Sequence, residues 1–211
     1  MAPKPSLKER VAKLQAAHGP AREVIGNDQG YNIWYHKTAG QRDNRGGPRE
    51  KAATRVNIRS DSGKTQAGPT AYHCIHFAKG KCHKGPSCTF LHHAPTPEEC
   101  GKCDVGHDIF GRERHGSHRD DRGGVGNMLS DSKTLYLGKL VSTPGHDLRA
   151  QVQAVFSEFG NIQQLKVYPD RGFAFVTYVH RGCSEFAYAA MMDQQVGAEG
   201  KTSSQALHVG R

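Results

Sequence analysis

The sequence predicts an α+β protein in which a βαββαβ domain follows a small, irregular domain that folds around a metal ion. Between residues 134 and 211, apolar residues alternate along short strands and recur every three or four positions along two helices. Between residues 71 and 93, three Cys and five His lie beside glycine and proline, with few apolar residues among them. The apolar content of 36% agrees with a chain of which only part packs around an apolar core.

The first 70 residues contain few apolar positions. The spacing of Leu7, Val11 and Leu14 favours a short amphipathic helix over residues 7–17. So short a helix is marginal without a partner, so we expect it to be disordered in isolation, within a flexible segment over 1–30. Residues 32–35, NIWY, hold the only Trp, which we expect to pack. Residues 36–70 are polar and basic, and two interpretations stay open: a flexible linker, or a strap laid over another part of the chain.

Residues 74–92 have the spacing C-x7-C-x5-C-x3-H. The candidate ligands are Cys74, Cys82, Cys88 and His92. Three thiolates and one imidazole complete a tetrahedral Zn²⁺ site of the structural kind, with no open position for a reactive water, so we predict one structural zinc ion and no hydrolytic enzyme. His92 is chosen for its x3 spacing alone, because other histidines lie nearby.

This spacing resembles the CCCH zinc fingers, whose members commonly bind single-stranded RNA. The resemblance implies base stacking by aromatic residues near the ligands, with basic side chains beside them. The candidates are Tyr72, Phe77, Phe90, Lys79 and Lys81. For Phe90 a second role, packing against the metal site, is equally consistent with the sequence.

Downstream, Cys100 and Cys103 form a C-x2-C pair with His115 and His118 behind them. The pattern C-x2-C-x11-H-x2-H falls short of the usual spacing of a two-Cys, two-His finger. We expect exposed cysteines in a loop, with a second metal site as the alternative.

The βαββαβ domain follows from apolar periodicity. The alternation predicts strands over 134–141, 162–167, 172–178 and 206–209. A helical stripe of Leu148, Val152, Val155, Phe156 and Phe159 precedes Gly160, and a second stripe comprises Cys183, Phe186, Ala187, Ala190 and Met191.

Residues 171–178, RGFAFVTY, match every position of the RNA recognition motif (RRM) signature. On a strand, Phe173 and Phe175 share one face, and the resemblance implies that Tyr136 of the neighbouring strand joins them to stack on bases. Arg171 would contact phosphate, and Lys139 stands where the family usually has Asn. The alternative is a sheet face that binds protein instead.

Positive charge is concentrated before the second domain. Residues 1–133 hold 22 Lys and Arg against 14 Asp and Glu, whereas residues 134–211 hold 7 against 6. We therefore expect the first part to supply electrostatic attraction to an acidic partner, with RNA the first choice. We also expect loss of the metal to unfold the first unit and spare the second.

Several separate motifs resemble the spliceosomal zinc-finger and RRM factors of the nineteen complex. They are HDIFGRERHGSHRDDRGGVGN at 107–127, NIWY at 32–35, RVNIRSDSGKT at 55–65 and FAKGKC at 77–82. The resemblance implies a Torus-like domain over 31–127 that contains the CCCH finger at 71–93, a linker over 128–133 and an RRM over 134–211.

It further implies a nuclear pre-mRNA splicing factor without catalytic activity. Such a factor binds U6 small nuclear RNA and the intron, stabilises the active conformation of the catalytic RNA core and links it to nineteen-complex proteins. Arg112 and Arg114 become candidates for phosphate contact. We expect a monomer without a membrane segment. The alternative function is an RNA-independent scaffold that uses both modules for protein contacts.

Overall fold

The computed structural model describes residues 10–17, 52–112, 131–140 and 147–194, together with strand residues 31–32, 37–38 and 208–210. Within these ranges the first part of the chain holds short elements and the second part a sheet with two helices. None of the helices within the described ranges has the length and apolar character of a membrane span.

The first part consists of short elements joined by turns. They are β1 (Tyr31–Asn32), paired antiparallel with β2 (Lys37–Thr38), and the helices α1 (Ile58–Asp61), α2 (Ile75–Ala78) and α3 (Pro97–Lys102). Residues 33–36, which include Trp34, lie outside the described residues. Asn57 caps α1 through its side chain, and Thr96 with Glu99 forms a capping box on α3.

No helix forms in residues 10–17, the described part of the segment for which the spacing favours one, because these residues pair with residues 61–64 and with Cys82. The amide of Ala12 donates to the carbonyl of Lys64 at 3.1 Å, and that of Gln15 to Cys82 at 3.1 Å. Val11 is 63% exposed, whereas Ala12 is buried. Backbone pairing with the finger has replaced the intrahelical bonds that so short a segment forms weakly.

Glycine at position 63 lets residues 10–17 lie directly against its backbone. A Cβ at Gly63 would lie 2.4 Å from the backbone nitrogen of Ala12. The segment around it holds the buried residues Val56, Asp61 and Ser62. It contacts the finger through the amide of Gly63, which donates to the carbonyl of His92 at 3.0 Å, and that of Gln66, which donates to Cys88 at 3.0 Å. Of the two interpretations of the polar stretch, the strap is therefore the correct one for residues 52–70.

The second part has the predicted βαββαβ order. Its elements are β3 (Thr134–Gly138), α4 (Leu148–Phe156), β4 (Ile162–Tyr168), β5 (Phe173–Tyr178), α5 (Arg181–Met191) and β6 (His208–Gly210). The four strands form one antiparallel sheet in the order β4-β5-β3-β6. The predicted fold class is therefore confirmed.

Alternation along the central strands separates a buried face from an open one. Leu135 and Leu137 of β3, like Ala174 and Val176 of β5, are fully buried against the helices. Between them Tyr136 lies directly opposite Phe175 in the register, so both rings lie on the other face. The helical stripes of α4 and α5 lie in the core as predicted.

Helix α5 joins the two parts into one core. Ten of its eleven residues are buried, including the charged Arg181 and Glu185. The ring of Phe186 lies 6.1 Å from Phe159 in its own domain, 6.3 Å from Phe77 in the finger and 6.0 Å from Phe110. A helix buried on all sides needs partners on all sides, so the expectation that the two units fold separately does not fit the packing.

Candidate metal centre and nucleic-acid interface

The four predicted metal ligands converge in the finger. One ligand atom from each of Cys74, Cys82, Cys88 and His92 lies within 4.8 Å of the others, and all four residues are buried. Cys74 caps the start of α2, and its Sγ accepts a hydrogen bond from the Phe77 amide at 3.3 Å. This cluster could hold a metal ion in a closed site, as the donor set requires.

Short turns bring the ligands together. After α2 the chain reverses at Gly80, whose φ of +70° is left-handed and whose Cβ position lies 2.5 Å from the Arg55 backbone. A 3₁₀ turn, Gly85–Ser87, then leads into Cys88. The glycine and proline positions seen in the sequence therefore serve the ligand loops.

His92 is distinguished from its neighbours by its surroundings. Both of its ring nitrogens are buried, and neither has a hydrogen-bond partner among the described residues. Its ring stacks on Phe77 at 4.7 Å with 12° between the planes, which fixes the imidazole beside the three thiols. His73 and His93 turn instead toward Glu99. The geometry thus favours His92 as the fourth ligand, in agreement with the x3 spacing.

Close contact between the sulfurs drives the pKa values of Cys74 and Cys82 apart. A hydrogen bond with Cys74 and the nearby imidazole of His92 outweigh burial and lower the pKa of Cys82 to about 3. The same pairing, reinforced by burial, raises the pKa of Cys74. Metal binding requires deprotonated sulfurs, so a cation would displace the protons that remain on these thiols.

Aromatic rings cover the open face of the sheet. Tyr136 lies 5.9 Å from Phe173 and 5.7 Å from Phe175, centroid to centroid, and the two Phe rings are 5.7 Å apart. Tyr136 is 36% exposed. Phe173 and Phe175 are half-buried beside it on the same face. Rings that solvent can reach on a sheet suit stacking with splayed bases.

Two residues on this face were missed by sequence reasoning. Tyr168 of β4 pairs with Phe173 in the register, its ring lies 4.8 Å from Phe173, and it is 41% exposed. Lys166 pairs with Phe175 and is exposed. The signal was available, because Lys166 and Tyr168 alternate with the inward-facing Leu165 and share one strand face.

Lys139 adopts a left-handed backbone, with φ of +61°. Asn adopts this conformation more readily than Lys, which gives a physical reason for the Asn that the RRM family carries there. The next residue, Leu140, donates its amide to the carbonyl of Gly172 at 2.8 Å, and Gly172 is itself left-handed at +65°. Arg171 is exposed beside this turn, at the rim of the ring face.

Lys139→Asn should therefore stabilise the protein by about 0.5–1 kcal/mol, because a left-handed conformation costs Lys roughly 1–2 kcal/mol and Asn less. Lys139→Ala is the matched control, since it removes the same long side chain without favouring a positive φ. Urea unfolding monitored by circular dichroism measures both. Equal midpoints for the Asn and Ala variants would contradict the explanation.

The finger residues expected to stack on bases divide into two groups. Tyr72 and Phe90 are each 41% exposed, so their rings are accessible, and for Phe90 exposure favours stacking over packing. Phe77 is fully buried between His92 and Phe186, so the expectation that it stacks on RNA is wrong. Lys79 and Lys81 are half-buried at the end of α2.

Arg112 is engaged within the protein. Its Nε donates to Oδ2 of the buried Asp108 at 2.8 Å, its Nη2 lies 2.7 Å from the same oxygen, and its guanidinium lies over Phe110. An internal ion pair with Asp108 thus holds this side chain against the protein, and the phosphate contact of Arg112 stays a prediction. Arg114, the other predicted basic residue, lies outside the described residues.

Cys100 and Cys103 are not loop residues. Cys100 lies in α3 with its Sγ 3.8 Å from that of the buried Cys183, and Cys103 caps the helix end. Burial raises the pKa of Cys103 to about 11. The expectation of exposed loop cysteines is corrected, because α3 packs on α5. His115 and His118 lie outside the described residues, so the alternative metal site with them stays a prediction.

A buried charged cluster reinforces the contact between finger and sheet domain. Arg181 donates to the carbonyls of Asp104 at 2.7 Å and His107 at 3.1 Å, and its Nε lies 3.5 Å from Glu185 Oε1. Glu185 accepts the amide of Ile109 at 2.8 Å. The i,i+4 spacing of Arg181 and Glu185 could have indicated the pair, but nothing local indicated its distant partners.

Comparisons with known proteins match the finger-containing part and the sheet domain to two different families. A Torus domain family matches residues 7–112, and an RNA recognition motif matches residues 148–199. A protein of Dictyostelium discoideum named Pre-mRNA-splicing factor cwc2 is 42% identical over 90% of this chain and 36% of its own length. Pre-mRNA-splicing factor cwf2 of Schizosaccharomyces pombe is 37% identical over 90% of this chain and 49% of its own.

Pre-mRNA-splicing factor CWC2 of Saccharomyces cerevisiae is 31% identical over 90% of this chain and 59% of its own length. The chain thus spans 36% to 59% of the length of these relatives. The Torus match begins at residue 7. It therefore includes the segment of residues 10–17, whose backbone bonds to Lys64 and to Cys82 of the finger.

Proposed function

Because this chain belongs to the family of Torus-domain proteins and continues into an RNA recognition motif, we propose that it is a nuclear pre-mRNA splicing factor that acts by binding RNA. The observation that carries the proposal is the face of the sheet, where four rings lie together around Phe173 with Lys166 beside them. Relatives named as pre-mRNA-splicing factors, which match 90% of this chain, support the role in splicing.

The RNA partners in this proposal are U6 small nuclear RNA and the intron. The sheet face would stack on unpaired bases, while Tyr72 and Phe90 on the finger offer further rings. A rigid contact between finger and sheet through α5 would hold both surfaces in a fixed relation to a folded RNA. In this way the protein would stabilise the active conformation of the catalytic RNA core and link it to nineteen-complex proteins.

Zinc is the ion we propose for the Cys74, Cys82, Cys88 and His92 cluster. Three thiolates with one imidazole form a donor set of structural zinc sites, and four ligands leave no position for substrate or water. The residues of this chain then have a structural role, because they hold the finger's loops against α2 and α5. We therefore propose that the protein has no catalytic activity of its own.

Binding of single-stranded U6 RNA by the full chain, followed by fluorescence anisotropy, tests the proposal. The affinity for RNA should fall steeply as the salt concentration rises. The chain has a net charge of +9, and Lys and Arg side chains that neutralise phosphates release counterions from the RNA. Lys79→Ala with Lys81→Ala should flatten the plot of log K against log salt by roughly 0.7 for each phosphate that the protein no longer neutralises.

The matched control is Lys133→Ala, since Lys133 pairs with Asp131 at 3.2 Å and should leave the slope unchanged. A flat salt dependence of the wild-type chain would reject RNA as the partner. Tight, salt-insensitive capture of a nineteen-complex protein, without RNA binding, would favour the scaffold function instead.

A further inference from the structure

A second group of metal-ligating side chains lies beside the finger, separate from the cysteine cluster. It consists of His73, His93 and Glu99, and one ligand atom from each lies within 4.8 Å of the others. Nε2 of His73 lies 3.4 Å from Oε2 of Glu99, and Nε2 of His93 lies 3.4 Å from Oε1. Each carboxylate oxygen therefore faces one imidazole nitrogen.

His73 is built into this position. Its side chain is only 1% exposed, and Nε2 is a buried polar atom without a hydrogen-bond partner among the described residues. The ring packs edge-on against His93 at 5.1 Å and Phe186 at 5.9 Å, so it cannot easily turn toward solvent. This nitrogen lies 3.4 Å from Oε2 of Glu99, longer than a usual hydrogen bond. A buried polar atom without a close partner costs free energy unless another group satisfies it.

His93 is held in the tautomer that a ligand needs. Its Nδ1 lies 3.0 Å from the carbonyl oxygen of Ala94, which can only accept, so Nδ1 carries the proton. With the Nδ1 proton directed at this carbonyl, Nε2 is the ring nitrogen that faces Glu99 and can serve as a ligand atom. Histidines that bind metals commonly donate their other ring nitrogen to a carbonyl in this way.

Glu99 is fixed by its place in α3. Its Oε2 accepts the amide of Thr96 at 2.9 Å, and its own amide donates to the hydroxyl of Thr96 at 3.3 Å. Pro97 starts the helix between them. This capping box holds the carboxylate over the two imidazoles, and the side chain remains 27% exposed, so solvent can reach the group.

We propose that His73, His93 and Glu99 bind a second divalent transition ion, of which Zn²⁺ is the representative. Two imidazoles with one carboxylate suit this class of ion, and three protein ligands leave a position for water. The site should be weaker than the closed cysteine cluster. Bound there, the ion would tie α3 to the finger beside the contact with Phe186.

The full chain carrying one equivalent of Zn²⁺ in its cysteine cluster provides the test. A calorimetric titration with further Zn²⁺ near neutral pH should show one additional equivalent. Glu99→Gln, which keeps an oxygen for the capping bond, and His93→Ala should each abolish that event. His107→Ala is the matched control, because His107 forms a His and carboxylate pair with Asp104 at 2.9 Å outside the cluster.

Co²⁺ absorption identifies the ligands of the second ion. The first equivalent should give intense thiolate charge-transfer bands, and the second should add none, since no sulfur is in the proposed site. Circular dichroism and retention of the first ion check that the variants fold. A wild-type chain that stops at one equivalent, a second event that survives in both variants, or new thiolate bands with the second Co²⁺ would each overturn the proposal.

Discussion

Cys88→Ser, or removal of the ion by a chelator, should unfold the finger and also loosen α5 of the RRM. The buried cluster supplies the folding free energy of a segment with few apolar residues, and structural zinc contributes on the order of 10 kcal/mol in small domains. Because Phe186 packs on Phe77 and Phe110, loss of the finger leaves one side of α5 without a partner.

Hydrogen exchange with peptide resolution measures this effect. Amides of α2 and of α5 should lose protection together after chelation, whereas those of β3 and β5, paired along their whole register, should keep most of theirs. Cys103→Ser is the control, because Cys103 is a half-buried thiol outside the ligand cluster. Undiminished protection of α5 in the chelated chain would show that the two units fold independently after all.

Phe173→Ala combined with Phe175→Ala should nearly abolish RNA binding. Stacking on a free base is worth roughly 1–3 kcal/mol for each ring, so losing two rings should weaken binding by at least about 30-fold. Both side chains lie on the open face, opposite Ala174 and Val176, so their removal should not open the core.

Phe173→Tyr with Phe175→Tyr keeps both rings and serves as the matched control. It should bind single-stranded RNA within a few-fold of the wild type, whereas the Ala pair should not. Tyr168→Ala should also weaken RNA binding, by about 1–3 kcal/mol, the stacking free energy of one ring on one base. Unchanged affinity of the Ala pair, with circular dichroism showing an intact fold, would exclude the sheet face as an RNA-binding surface.

Sequence reasoning succeeded where the determining interactions are local. Alternation in TLYLG and FAFVTY sets which side chains face the core, and the ligand spacing follows from the short loops between Cys74 and His92. Tyr168 could have been found by the same parity along β4. These features depend on neighbours within a few residues or on one adjacent strand.

It failed where distant segments decide the structure. The apolar spacing of residues 7–17 suggested a helix, but the backbone of this segment bonds to Lys64 and Cys82. The sequence around Cys100 suggests a loop, yet its Sγ lies beside that of Cys183, which is 83 positions further along the chain. Phe77 has the spacing of a stacking ring, but α5 covers it. No periodicity reports such contacts.

The function proposed for this chain requires that it hold spliceosomal RNA on two surfaces joined by α5. Photo-crosslinking in active spliceosomes that contain the full chain, with the RNA and peptide partners both mapped, is the decisive measurement. We expect peptides with Phe173, Tyr136 or Phe90 to be joined to U6 or intron nucleotides. Crosslinks from these surfaces to protein alone, with none to RNA, would refute the proposed function.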